Sequence, residues 1–195
     1  GGNDGVSEIG LPSFPDTIIH VVTPFEPAFK EEITQYDWFD VLGGQALLPS
    51  SHVEKTLGVE SWREDVLTRD SRGVITSVKE KGQPETVILW GYSGRLPVAV
   101  IKNSTLEEVQ AAFGDRPSVM EGAAYAPVPS QTYLDKLAGL RTALPQAHIT
   151  TYTHIPGVGV ELITDPAGLV TSFEYEAGRL TCIRDNDGNK VEEHD

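Results

Sequence analysis

The chain has little of what would mark a catalyst, a membrane span or a nucleic-acid binder. Its one cysteine, Cys182, leaves nothing to pair with, so a disulfide scaffold is excluded while the compartment stays open. No stretch approaches the roughly 18 consecutive apolar residues of a membrane helix, so insertion of this segment is not expected. Basic residues are scarce, 15 against 29 acidic, which gives a formal net charge of −14. Such a field repels phosphate backbones and anionic lipid surfaces, which places nucleic acid low among partners. A signal peptide is also absent. The chain opens Gly1-Gly2-Asn3-Asp4 without methionine, the start expected of a piece cut from something longer, so that absence excludes no compartment.

Hydrophobic residues make up 39% of the 195, enough to build a core in one domain or a domain with a subsidiary lobe. Pro12, Pro15, Pro24 and Pro27 bracket a β-branched run at 17–23 that reads as a strand. The irregular stretch 36–48 takes no firm assignment, and 53–59 is read as a strand. Segments 74–79 and 85–90, separated by Glu80-Lys81-Gly82-Gln83-Pro84, form an expected hairpin, with a further strand over 96–102. Two amphipathic helices follow. The first spans about 104–113, with Ser104 and Glu107 as its capping box, Leu106, Val109 and Phe113 on one face, and Gly114 at its end. The second spans about 131–144, capped by Ser130, with Leu134, Leu137, Leu140 and Leu144 in one stripe and Pro145 after it. Five strands close the chain, at 149–153, 158–164, 169–175, 179–184 and 189–194. The expected fold is mainly β, an α+β antiparallel meander with two helices packed on its sheet. Residues 1–66 form an N-terminal strand and loop region of uncertain assignment. Residues 67–195 form the meander, interrupted by the helices at about 103–145.

The turns repeat. Asp165-Pro166-Ala167-Gly168 recurs as Asp185-Asn186-Asp187-Gly188, and a third Asp-x-x-Gly, Asp70 to Gly73, precedes the earlier hairpin. Tyr92-Ser93-Gly94-Arg95-Leu96 parallels Tyr175-Glu176-Ala177-Gly178-Arg179-Leu180 with one residue inserted. Self-similarity of this kind signals stacked units that bury a continuous core only together. These residues resemble the Rhs (YD-repeat) family of large bacterial surface and secreted proteins. In that family Asp-x-x-Gly, Thr and Tyr-Asp-x-x-Gly-Arg-Leu follow in order. Asp165, Gly168, Thr171, Tyr175, Gly178, Arg179, Leu180, Ile183, Asp185 and Gly188 occupy matching places, Glu176 stands where the family has Asp, and the tyrosine-to-glycine gap is one residue short. Trp90 and Tyr92 fall in a segment similar to one near the ends of such proteins. The likeness is best over 67–102 and 147–195. It implies a long β-meander at the cell surface or secreted, with neighbouring repeats of the same polypeptide as partners and no enzymatic activity in the repeats.

Candidate chemical sites are few. His20, His52, His148, His154 and His194 include no pair at helical i, i+4 spacing, so no metal site is expected. The Asp185–Asn189 run alternates oxygen ligands as a calcium loop does, but its glycine is fourth rather than sixth and a tight hairpin asks for the same residues. Cys182 has no base beside it and no Gly-x-Ser-x-Gly elbow exists, so neither a nucleophile nor a cofactor is expected. Glu31-Glu32 and Glu192-Glu193 face opposite ways on extended chain, which suits solvation. Trp90, Tyr92, Phe173 and Tyr175 leave two readings, core filling or a ring-bearing face for glycan or protein. The leading expectation is a non-enzymatic structural or interaction module, with a glycan- or protein-binding module as alternative and a hydrolase as a remote third. The last strand is expected to pair on one side only.

Overall fold

Each turn returns the chain beside the strand it has just left, so sheet order follows chain order. The computed structural model describes residues 17–22 and 30–193, with side chains from Lys30 onward. The strands are β1 (Thr17–Val22), β2 (Lys30–Val41), β3 (Gly44–Thr56), β4 (Val59–Arg69), β5 (Ile75–Glu80), β6 (Glu85–Gly91), β7 (Leu96–Lys102), β8 (His148–Ile155), β9 (Gly159–Thr164), β10 (Val170–Glu176), β11 (Arg179–Arg184) and β12 (Lys190–Glu193). All twelve form one sheet in the order β1 to β12, every neighbour antiparallel. The expected mainly β, antiparallel meander is therefore what the chain adopts. The strands of residues 30–66, a region of uncertain assignment by sequence, belong to the same sheet.

Two sequence expectations shift in this region. The stretch 53–59 is not one strand, because Leu57 and Gly58 take left-handed φ of 53° and 75° and turn the chain between β3 and β4. A two-residue turn with both φ positive matches the right-handed twist of the flanking strands. The unassigned stretch 36–48 holds a hairpin, β2 against β3, closed by Val41 opposite Gly44. The expected final strand forms as β12 and, within the described residues, pairs only with β11.

Three helices, not two, leave the sheet between β7 and β8: α1 (Leu106–Phe113), α2 (Pro117–Ala124) and α3 (Gln131–Ala143). The capping box of α1 is one residue later than expected. Thr105 accepts from the Glu108 backbone N–H and the Glu108 carboxylate accepts from the Thr105 N–H, while Ser104 Oγ also donates to Glu108. Those donors hold the Glu108 carboxyl below its ordinary pKa, the Thr105 backbone first. Gly114 ends α1 with φ 75°. Helix α3 starts at its expected Ser130 cap. The missed helix, α2, begins on Pro117 with no side-chain cap and contains Gly122, so little local sequence announces it.

All three helices contribute to one core on one sheet face. Val87, Ile101 and Ile149 stand directly opposite one another on β6, β7 and β8 and are nearly or wholly buried. Val109 and Phe113 of α1 and Leu137 and Leu140 of α3 close over this row, the Phe113 and Tyr133 rings lying 5.5 Å apart. Full burial of each such side chain contributes about 1.5–3 kcal/mol. The helical excursion thus anchors the middle of a long sheet. By the two-residue period, Ile88, Val100, Tyr152, Ile163, Phe173 and Ile183 point to the opposite face and are half-buried.

Candidate functional site

The three Asp-x-x-Gly turns share one hydrogen-bond set. In each, the aspartate N–H donates to the carbonyl four residues on, and the glycine N–H donates back to the aspartate carbonyl. The aspartate Oδ1 accepts the N–H of the fourth following residue, Val74, Leu169 or Asn189, at 2.8–2.9 Å. Each turn closes on equivalent strand pairs: Arg69 with Ile75, Thr164 with Val170, Arg184 with Lys190. Gly73, Gly168 and Gly188 have φ of 83°, 86° and 81°, where a Cβ is disfavoured. An arginine guards each turn. Arg69 donates to Gly73 O and Arg184 to Gly188 O, and Arg141 of α3 reaches Thr164 O and Asp165 O.

The copies are not interchangeable in place. Asp70 lies after an even-numbered strand, Asp165 and Asp185 after odd-numbered ones, and a meander puts those turns at opposite ends of the sheet. The first copy therefore repeats the turn but not its position in the unit. Asp185 also accepts from Asn189 Nδ2, which with the Asn189 and Asp187 N–H groups holds its carboxyl below the ordinary aspartate range. Asn186 Oδ1 accepts the Val170 N–H, tying the third turn to the second. The Asp185 carboxylate and Asn186 Oδ1 are engaged in holding the turn, and no cluster of three or more metal-ligating residues occurs among the described residues.

The Gly-Arg-Leu segments lie at one end of the sheet, after β6 and β10. Leu96 opens β7, and Arg179 opens β11 with Leu180 second. Gly94 and Gly178 both sit in the preceding turns with left-handed φ of 71° and 79°. The turns differ in length: Gly91 pairs Leu96 across residues 92–95, whereas Glu176 pairs Arg179 across Ala177 and Gly178 alone. Register also changes the sequence pairing of Tyr92 with Tyr175. Trp90 and Tyr175 each follow a β-bulge step, Leu89/Trp90 and Glu174/Tyr175. Each lies three residues past a strand pair, Ser77 with Val87 and Leu162 with Ser172. Each donates to the carbonyl two residues before that pair, Trp90 Nε1 to Ile75 O at 2.7 Å and Tyr175 Oη to Val160 O at 2.9 Å. Trp90 is the structural counterpart of Tyr175. Tyr92 instead turns into the core, where its hydroxyl accepts the His154 N–H and its ring meets the His154 ring edge-on at 5.3 Å.

Helix α2 clamps the first Asp turn. Tyr125 Oη donates to Asp70 Oδ2 at 2.7 Å, the Ser71 N–H and hydroxyl donate to Glu121 Oε1, and the Arg72 guanidinium lies 3.7 Å from the Tyr125 ring centroid. Burial first, then the Asp70 carboxylate, pushes the Tyr125 hydroxyl pKa upward. The ring packs on Gly94 so closely that a Cβ there would come within 2.4 Å of it. Beyond Ser77 and Val87 the β5–β6 ladder ends, and a cavity of about 220 Å³ opens between Trp90, Leu89 and the helices, with Asp70 and Glu121 among its lining residues. Sequence reading named Asp70 and Trp90 of this cluster but not Tyr125, Glu121 or Arg69. The recurrence of arginine before Asp70 and Asp185 was a visible signal for Arg69; nothing in sequence announced a tyrosine fifty-five residues from its aspartate.

The remaining candidates stay apart. His154 Nε2 is 2.8 Å from Pro97 O, His52 packs against Trp62 at 5.6 Å, and His148 is exposed at the start of β8. His20 and His194 lie outside the residues with described side chains. Cys182 is buried in β11. No protein-family model matches this chain, and no curated protein matches it.

Proposed function

We propose that this chain is a non-enzymatic structural and interaction module, a stretch of repeat meander from an Rhs-like surface or secreted protein. The observation that carries this reading is one Asp-turn device, sharing three hydrogen bonds in every copy, used three times along a single sheet. The matching rings of Trp90 and Tyr175 support it. Its partners are neighbouring repeats of the same polypeptide, which add strands to the meander as β12 adds to β11. Deleting residues 186–195 tests this: the β11 edge with Ile183 and Cys182 is then uncovered, lowering the melting temperature and causing concentration-dependent association. An unchanged melting temperature with a clean monomer favours a self-contained domain instead.

A second reading, a glycan- or protein-binding module, draws on the face opposite the helices. Tyr152, Phe173 and Tyr175 lie there half-buried beside Ile163 and Ile183, an apolar, ring-bearing surface. Replacing Phe173 by Ala while leaving the fold intact removes binding on this reading and changes only stability on the first.

A further inference from the structure

The cavity under α1 and α2 has walls of one chemistry and a rim of another. Leu89 of β6, Leu106 of α1, Met120 and Ala124 of α2 and the rings of Trp90 and Tyr133 supply apolar wall. An apolar cavity of about 150 Å³ takes up benzene. At about 220 Å³ this one has room for a second fused ring. The Met120 thioether suits the edge of such a ring.

Much of the charged rim is engaged, while the buried Nε of Arg69 has no hydrogen-bond partner among the described residues. Arg69 donates to Gly73 O and Pro49 O, Asp70 accepts from Arg72 N, Val74 N and Tyr125 Oη, and Glu121 Oε1 accepts from Ser71. An anion entering here is repelled by the Asp70 and Glu121 carboxylates and a cation by the Arg69 guanidinium, so an uncharged ligand enters at the lower desolvation cost. The Trp90 indole and Tyr133 hydroxyl donate to Ile75 O and Trp90 O, and the Thr76 hydroxyl meets Thr68. Gln110 differs. It lines the cavity one helical turn after Leu106, and its amide makes no hydrogen bond within the described residues. Apolar walls with a few available polar groups, here the Gln110 amide and the Arg69 Nε–H, are what fix a small ligand in orientation.

We infer that this cavity is a binding site for a small, uncharged, two-ring aromatic molecule with one hydrogen-bonding edge, of which indole is representative, the edge meeting Gln110. The test titrates the full chain with indole and follows protein methyl signals and intermolecular nuclear Overhauser effects by NMR. The expected result is saturable one-site binding with contacts from indole to the methyls of Met120 and Leu106. Gln110→Leu should weaken indole by roughly threefold to tenfold, the worth of one net hydrogen bond, and leave naphthalene unchanged. Ala124→Leu should fill the cavity and abolish both. Absence of saturable binding up to the solubility of indole overturns the inference. So do contacts to other methyls, or equal weakening of both ligands by Gln110→Leu. If Ala124→Leu does not fold, the contacts on the wild-type chain decide alone.

Discussion

Replacing Asp70 by Ala removes acceptors for three donors at once: the N–H groups of Arg72 and Val74, each at 2.9 Å, and the Tyr125 hydroxyl at 2.7 Å. The first two hold the turn; the third holds α2 to it. Hydrogen bonds to a charged acceptor contribute about 1.5–3 kcal/mol, less where water reaches them. Tyr125→Phe, which keeps the ring under Arg72, should therefore cost about 1–2 kcal/mol, and Asp70→Ala about 2–4 kcal/mol. Because both variants remove the same bond, the double variant should cost less than the sum by about 1–2 kcal/mol. Urea unfolding of the four proteins measures this directly. Costs that add to within about 0.3 kcal/mol would refute the clamp as an energetic link between the helices and the first Asp turn.

Ile101→Ala, at a fully buried site between Val87 and Ile149, should cost about 2–5 kcal/mol, whereas Val191→Ala on β12 should stay within about 0.5 kcal/mol in the same unfolding assay. Glu108 and Asp185 have carboxyls depressed by their donors, so the stability they contribute is present above their unfolded pKa values of about 4. It is lost as pH falls through the lower folded values. Glu108→Gln with Asp185→Asn should flatten the fall in unfolding midpoint between pH 5 and pH 3, and an unchanged slope would contradict the assignment.

What the sequence revealed and what it withheld divide by range. The Asp turns were legible because their chemistry is internal, an aspartate capping its own loop and a glycine at positive φ. The α3 cap and stripe were legible for the same reason. The α1 cap slipped by one because Ser104 with Glu107 and Thr105 with Glu108 are the same pattern; the Ser104 hydroxyl donates to the Glu108 carboxylate, while the Thr105 hydroxyl accepts the Glu108 N–H. Helix α2 was illegible. What fixes Pro117–Ala124 in place is Ser71 and Asp70, reached by Glu121 and Tyr125 across the fold. The match of Trp90 with Tyr175 was hidden by letter identity, since Tyr92 carries the same letter as Tyr175 while Trp90 carries the same function, a ring tipped with a donor. The opposite placement of Asp70 on the sheet follows from counting strands, and the count failed where 53–59 was taken as one strand and 36–48 was left unread.

The central claim, one Asp-turn device used three times, is tested most directly by amide hydrogen exchange on single Asp→Ala variants. At each turn the aspartate Oδ1 holds the N–H four residues on. Asp70→Ala should therefore speed exchange at Val74, Asp165→Ala at Leu169 and Asp185→Ala at Asn189. Each should act on its own turn and leave the other two unchanged. If any of the three wild-type amides already exchanges as fast as free chain, or if its rate ignores loss of its aspartate, that turn is not a copy of the device and the repeat account fails there.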